Sequence, residues 1–229
     1  MLRQRYKVIF PILSVKVAMA LIFVKGYSLP EVDRREVLRY AGVRSSDGLS
    51  DELISRLDEA IALTEGRLSP RVCFTELALS DIDFGDSLDI KKNLRDSHAV
   101  IAFAATLGVE LDRLISRYTL LSPATALLLE AIGNERIEAL CDAFCDAKKA
   151  EKLAFGESLR PRYSAGYGDL PIEFQRKIFE ILDPPSHIAL TLNDSYLMSP
   201  SKSVTAFVGI EKIKRNEENK ENESFRTFK

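Results

Sequence analysis

The sequence predicts a mixed α+β fold in which helices pack around a sheet. Segments with apolar residues at helical spacing, such as 50–64 and 122–154, occur along the same chain as apolar runs of strand length, such as 98–108 and 204–210. Hydrophobic residues make up 46% of the 229 residues, which is enough to bury a core in one good-sized domain. These observations together predict one α+β domain with tails.

The composition argues against several classes of function. The formal net charge is -2 and the pI is about 5.9, so the chain has no basic field to hold nucleic acid. Only His98 and His187 could act as imidazole ligands, and no HExxH or CxxC motif occurs, so a built-in zinc site is not expected. Three cysteines, an odd number, do not form a disulfide framework, which indicates a reducing compartment such as the cytoplasm.

Residues 1–30 are ambiguous. A basic start precedes an apolar run over 8–24, but Lys16 lies near the middle of that run, which is already short for a membrane span. The sequence at 25–28 is a poor cleavage site for a signal peptide. We expect an extension outside the domain, arising from an upstream start codon or forming a poorly packed segment, with a membrane-surface helix as the second choice.

The first part of the domain is predicted to contain both helices and strands. Asp33 and Ser50 can cap the first two helices, and apolar runs bounded by turn residues mark the strands. The predicted helices cover 33–40, 50–64, 89–94 and 110–118. The predicted strands cover 72–74, 77–79 and 98–108.

A long helix is predicted from Ser122 to about Ala154, with a proline in its first turn and with 133–134 as a point where it can bend or split. Three carboxylates lie four residues apart on one face of this helix: Glu138, Asp142 and Asp146. Such carboxylates repel one another unless a nearby cation balances their charge. Nearby lysines and water could balance this charge, and so could a positively charged ligand.

Cys141 and Cys145 lie four residues apart on the apolar side of the same helix. Because no third or fourth ligand is near them in the sequence, core positions are favoured over a metal site. No cysteine cluster of the kind that holds an iron–sulfur group is present, so none is expected.

The most informative stretch is 160–171, RPRYSAGYGDLP. Two glycines permit positive φ in its middle, and two prolines fix φ at its ends. Arg162 offers a planar cationic fork for a carboxylate, and Tyr163 and Tyr167 offer aromatic faces with polar tips. This set suits a zwitterionic ligand with a flat ring, although an ordinary turn with a surface arginine has the same composition.

The rest of the chain is predicted as a helix over 171–182, a strand over 187–192, a polar loop over 195–205 and a strand over 204–210. From Glu211 onward the residues are mostly charged or polar with little to bury, which predicts a disordered tail over 211–229.

Two separated motifs resemble a known family. Arg162, Gly166, Tyr167 and Pro171 form Arg-x-x-x-Gly-Tyr-x-x-x-Pro, which resembles the S-adenosylmethionine-binding signature of the activation (reactivation) domain of cobalamin-dependent methionine synthase. The Gly-Asp-Leu-Pro after Tyr167 looks like the stand-alone bacterial proteins of that family. The family also has a Met-x-Pro-x-x-Ser-Val segment, which is matched by Met198, Pro200, Ser203 and Val204. The resemblance extends over about 31–210.

The resemblance implies a twisted antiparallel sheet surrounded by helices and a site for S-adenosylmethionine. By position, Arg162 would hold the ligand's carboxylate, Ser164 and Gly166 would make backbone contacts, and Tyr167 would pack on the ligand. Asp142 aligns with an acidic ligand contact of the family, although a glutamate stands there in the family. The family's acidic contact near the domain start and its tyrosine in the last strands have no counterpart that can be placed.

The implied function is reductive reactivation of a separately encoded methionine synthase that carries the cobalamin and lacks its own activation domain. S-adenosylmethionine would supply the methyl group, and a flavodoxin-like or other donor would supply an electron. The chain would then be one component of a methyltransferase activity rather than a complete enzyme, with no membrane partner expected. Two alternatives remain open: an independent methyltransferase for a small molecule, and a non-catalytic docking module.

Overall fold

The computed structural model describes residues 21–43 and 49–213. The helices in these ranges are α1 (Arg34–Tyr40), α2 (Asp51–Thr64), α3 (Leu88–Asn93), α4 (Glu110–Leu121), α5 (Pro123–Leu153), α6 (Gln175–Leu182) and α7 (Pro184–Ile188). The strands are β1 (Phe23–Gly26), β2 (Arg71–Ala78), β3 (Ser97–Thr106), β4 (Glu157–Leu159), β5 (Thr191–Leu192), β6 (Met198–Ser199) and β7 (Ser203–Lys212).

The main sheet has five strands in the order β1-β2-β3-β7-β4, and each neighbouring pair is antiparallel. β3 and β7 are its long central pair, running from Ser97 opposite Glu211 to Thr106 opposite Ser203. β5 and β6 form a separate two-stranded sheet. The predicted α+β class, with helices around an antiparallel sheet, is confirmed.

Both faces of the main sheet are covered by helices. The side chains of β3 alternate between the two faces, and on each face they belong to a different apolar cluster. Ile101 and Phe103 belong to the cluster that contains buried residues of α1, α2, α4 and α5, which we call the α5 face. Val100 and Ala102 belong to the cluster that contains buried residues of α3, α6 and α7, which we call the α6 face. The sheet is therefore the middle layer of the domain.

Two strand predictions differ from the structure. The segments 72–74 and 77–78 belong to one continuous strand, β2, and Leu79 begins a short 3-10 helix. The predicted strand over 187–192 is wrong for most of its length, because α7 extends to Ile188 and only Thr191–Leu192 is a strand. Pro184 at the first position of α7 favours a helix start, and this local signal outweighs the alternation of apolar residues.

α5 is one continuous helix and does not split at 133–134. A Cβ at Gly133 would lie 2.8 Å from the Lys202 Cε and 2.9 Å from the Leu111 Cδ2. The glycine is therefore explained by close packing. It leaves room for a lysine stem and for a leucine of α4.

The main sheet includes residues beyond both ends of the predicted domain, 31–210. β1 lies within the region that we predict to be an extension, and it pairs with β2 through residues 71–74. β7 reaches Lys212, two residues past the predicted end at Ile210. Residues 1–20 and 214–229, which hold most of the predicted extension and tail, lie outside the described residues. Across the described ranges, no helix combines the length and the apolar character that a bilayer crossing requires.

Candidate functional site

The glycine-rich loop, residues 160–171, starts as an extra partner of β7 and then turns away from it. Tyr163 and Phe207 exchange two backbone hydrogen bonds, each 2.8 Å long. The loop then closes on itself, with the Gly166 N–H donating to the Leu170 carbonyl at 2.9 Å and the Tyr163 hydroxyl donating to the Tyr167 carbonyl at 3.0 Å. The turn is therefore held by hydrogen bonds within the loop and by one strand.

Gly168 is required by this turn for two reasons. Its φ is +53°, in the left-handed region that L side chains rarely adopt. A Cβ there would also collide with the Asp89 carboxylate and lie 2.5 Å from the Tyr163 hydroxyl oxygen. The second glycine of the motif thus keeps the loop against the start of α3.

Asp169 anchors the loop to α3. Its carboxylate accepts hydrogen bonds from the Ser87 hydroxyl, from the Leu88 N–H at 2.7 Å and from the Asp89 N–H at 3.2 Å. The hydrogen bond from Ser87, followed by that from Leu88, lowers the pKa of this carboxyl group. The loop is consequently fixed at a point close to Gly168.

The second motif, 198–204, is held beside the first by polar contacts to helices on the α5 face. The Ser201 N–H and hydroxyl each donate to the Asp112 carboxylate at 2.7 Å. Lys202 forms an ion pair with Glu130 and donates to the Asn134 side-chain oxygen at 2.8 Å. The Ser203 hydroxyl donates to the Pro200 carbonyl at 2.8 Å.

A cavity of about 370 Å³ lies between the two motifs at the edge of the sheet. Both motifs contribute to its wall, together with one residue from each of the two flanking helices. The lining residues are Glu138, Arg162, Tyr163, Ser164, Ala165, Tyr167, Gln175, Met198, Ser203, Val204 and Thr205.

Arg162 is the main cation of this cavity. Its Nη2 donates to the Glu138 carboxylate and lies 3.3 Å from the Asp142 Oδ1. Its Nη1 is buried and has no hydrogen-bond partner within the described chain. A buried guanidinium N–H without an acceptor is unfavourable, so this nitrogen is suited to receive an anionic ligand group.

The charges around Arg162 raise the pKa of its guanidinium, which is protonated at neutral pH in any case. Burial alone would lower the pKa of the guanidinium, but the neighbouring Cys141, Glu138 and Asp142 together raise it. Burial also raises the pKa of the Cys141 thiol to about 12, so this group is uncharged at neutral pH. The two carboxylates are therefore the groups that balance the arginine under ordinary conditions.

The structure brings most of the predicted site residues together. Arg162, Ser164 and Tyr167 line the cavity, and Tyr167 is 68% exposed. Gly166 belongs to the same loop, with φ +88°, but it is not among the lining residues. Asp142 forms an ion pair with Arg162 but is not among the residues that line the cavity, and its side chain is 68% exposed.

The two lining residues that come from the flanking helices, Glu138 and Gln175, are among those that were not predicted as ligand contacts. Glu138 lies one helical turn before Asp142 and lines the cavity itself. The spacing of the carboxylates on α5 contains both residues, but it does not indicate which of them faces the cavity. Gln175 carries no motif signal, and only the packing of α6 places it at the site. No group of three or more potential metal ligands occurs among the described residues.

Comparison with known proteins adds information on the fold. No family model matches the sequence, and no curated protein matches it. A similar solved structure is the crystal structure of the MetH reactivation domain bound to AdoHcy (S-adenosylhomocysteine). The TM-score is 0.57 at 13% identity, covering 87% of this chain and 81% of that one. The chain therefore has a fold similar to that of the MetH reactivation domain.

Proposed function

We propose that this protein binds S-adenosylmethionine in the cavity between its two motifs and takes part in the reductive reactivation of a cobalamin-dependent methionine synthase. The observation that carries the proposal is the unpaired, buried Nη1 of Arg162, which lies beside two carboxylates in the loop that matches the family signature. The similar solved structure, a MetH reactivation domain, is bound to AdoHcy, the product of methyl donation.

The charges of the cavity complement such a ligand. The ligand's carboxylate pairs with Arg162, whose Nη1 needs an acceptor. Its ammonium and sulfonium groups are cationic, and they are attracted to Glu138 in the cavity wall and more weakly to the more exposed Asp142. The exposed ring of Tyr167 is available to pack on the ligand, and Ser164 offers backbone contacts in the same loop.

The role of this chain in the reaction is to position the methyl donor. When the partner is bound, its cobalamin supplies the metal centre that accepts the methyl group, and a flavodoxin-like or other donor supplies one electron. The chain itself holds the donor's amino-acid group at Arg162, so that the methyl group can be presented to another protein. The proposed partner is a methionine synthase that lacks a reactivation domain of its own.

Isothermal titration calorimetry tests the binding step. We expect AdoMet and AdoHcy to bind the wild-type protein, and Arg162→Ala to weaken both by about 10- to 150-fold, or ~1.5–3 kcal/mol, because a charged hydrogen bond is lost. Arg113→Ala is the matched control, since Arg113 is an exposed arginine that pairs with Glu110 on α4. Equal affinities for wild type and Arg162→Ala would remove Arg162 from the site.

An activity assay tests the proposed partner. Oxidised, cobalamin-loaded methionine synthase lacking its reactivation domain is mixed with this protein, AdoMet and an electron donor. We expect methionine synthesis to return only when all components are present, and to stay low with Arg162→Ala. Methyl transfer to a small molecule without any corrinoid protein would instead support an independent methyltransferase. Absence of AdoMet binding would support a docking module.

A further inference from the structure

Gln175 is a buried polar residue in the wall of the cavity, and its side-chain oxygen is not satisfied. The residue is 7% exposed, lies at the start of α6 and lines the cavity. Its Oε1 is buried without a hydrogen-bond partner in the described part of the chain. Because buried amide oxygens are normally paired, this atom indicates a ligand that donates a hydrogen bond.

Gln175 and Arg162 approach the cavity from opposite faces of the sheet. Arg162 is paired with residues of α5, whereas Gln175 belongs to α6, which packs on the other face. The cavity thus has a charged end, at Arg162, and a neutral polar end, at Gln175. A ligand whose amino-acid group binds the charged end extends its other end toward α6.

The edge of β7 supplies a second neutral polar group at this site. Phe207 uses its N–H and C=O to pair with Tyr163, on the outer side of β7. Because every second residue of a strand directs its backbone groups to the same side, those of Thr205 also point to this outer edge. No backbone hydrogen bond joins Thr205 to the loop in the described chain, and Thr205 lines the cavity.

We infer that Gln175 and the outer edge of β7 at Thr205 form a subsite for the purine base of the ligand, with Gln175 accepting a hydrogen bond from the exocyclic amino group of adenine. This inference rests on the proposed function. Adenine presents an N–H₂ donor beside a ring-nitrogen acceptor. The Gln175 amide oxygen and the Thr205 backbone groups offer a matching set, because Thr205 carries both a donor and an acceptor. Gln175 is thereby a specificity-determining residue for adenine.

Calorimetry with a pair of ligands tests the subsite. AdoHcy is compared with its analogue that has unsubstituted purine in place of adenine and so lacks only the amino group. We expect the wild-type protein to bind AdoHcy about tenfold more tightly than the analogue, as loss of one hydrogen bond to a buried acceptor predicts. Equal binding of the two ligands by the wild-type protein would overturn the inference without any variant being made.

Gln175→Leu and Gln175→Met complete the test, because each removes the acceptor while keeping a side chain of similar size. We expect each variant to lose the preference for AdoHcy over the analogue while keeping the dependence on Arg162. A variant that weakens both ligands equally, with the preference retained, would overturn the role of Gln175. No binding of AdoHcy to the wild-type protein would overturn the proposed function itself, whereas Arg162-dependent binding that ignores the amino group would overturn only this subsite.

Discussion

Two arginines lie beside glutamates of the same helix, α5, but their surroundings differ. The Arg136 side chain is 4% exposed, and its nitrogens donate to Glu135 and to the carbonyls of Pro30 and Glu31. The Arg162 side chain is 27% exposed, and its Nη1 has no partner in the described chain. Arg136 therefore holds the N-terminal segment on the domain, while Arg162 keeps a donor available for a ligand.

Cavity size and hydrogen-bond satisfaction favour different cavities in this protein. Arg136 also borders a cavity, of about 530 Å³, which is larger than the cavity beside Arg162. Every nitrogen of Arg136 is satisfied by the protein, so a ligand there gains little from it. The smaller cavity has two unsatisfied buried polar atoms among its lining residues, on Arg162 and Gln175. Unsatisfied polar groups therefore favour the proposed site beside Arg162, whereas volume favours the cavity beside Arg136.

The largest expected effect is a loss of stability when the buried ion pair between Arg136 and Glu135 is broken. Arg136→Ala leaves the Glu135 carboxylate, whose side chain is 7% exposed, without its cationic partner and with only the hydrogen bond from the Asp33 N–H. We expect the free energy of unfolding to fall by about 3–5 kcal/mol, as for other broken buried ion pairs. Urea denaturation measures this loss, and Arg113→Ala serves as the surface control with an expected ~0–1 kcal/mol. Arg162→Ala is also expected to change stability by only ~0–1 kcal/mol, and a larger loss there than at Arg136 would reverse the comparison.

The next effect concerns the loop that presents Arg162. Gly168→Ala places a Cβ at positive φ and against Asp89, so we expect the free energy of unfolding to fall by roughly 2–3 kcal/mol. Gly85→Ala is a matched control, because Gly85 has φ +59° and nothing within 4 Å of the added Cβ. Thermal denaturation should show a smaller loss for Gly85→Ala. Equal losses would mean that the contact with Asp89 does not constrain the loop.

A smaller expected effect is the difference in ligand binding between variants of the two carboxylates that pair with Arg162, Glu138 and Asp142. Glu138 lines the cavity and is 42% exposed, whereas Asp142 is 68% exposed and does not line it. We expect Glu138→Gln to weaken AdoHcy binding by about 0.5–1.5 kcal/mol and Asp142→Asn by less than about 0.5 kcal/mol, because solvent screens the more exposed charge. Calorimetry on both variants gives the order, and a larger loss for Asp142→Asn would show that Asp142 is the nearer contact.

The smallest expected effect is the pH dependence contributed by Asp169. Its pKa in the folded protein is lower than the unperturbed value of about 3.9, so the carboxylate stabilises the folded state above about pH 4. This stabilisation is lost as the pH falls through the lowered pKa. Asp169→Asn should therefore be less stable than the wild type at pH 7, with the difference shrinking below about pH 4. A difference that stays constant from pH 7 to pH 2 in urea denaturation would contradict this origin.

Most helices could be predicted because their signals are local. Ser122 caps α5 and is followed by proline, and Asp33 caps α1, as the sequence indicates. The reason for the glycine at 133 could not be predicted, because it is the close packing of the Lys202 side chain, nearly 70 residues away. The strand predicted over 187–192 failed because alternation cannot be distinguished from a short helix that begins at Pro184.

The sequence by itself determined the composition of the site: a cationic fork at 162, two glycines that permit a tight turn, and a stripe of carboxylates on one helix. Only the tertiary structure decided that Glu138 rather than Asp142 lines the cavity, that Nη1 of Arg162 is left without a partner, and that Gln175 lies across from them. The physical reason is that motifs and caps depend on neighbours within a few residues. Burial and hydrogen-bond satisfaction depend on elements that meet only when both faces of the sheet are packed.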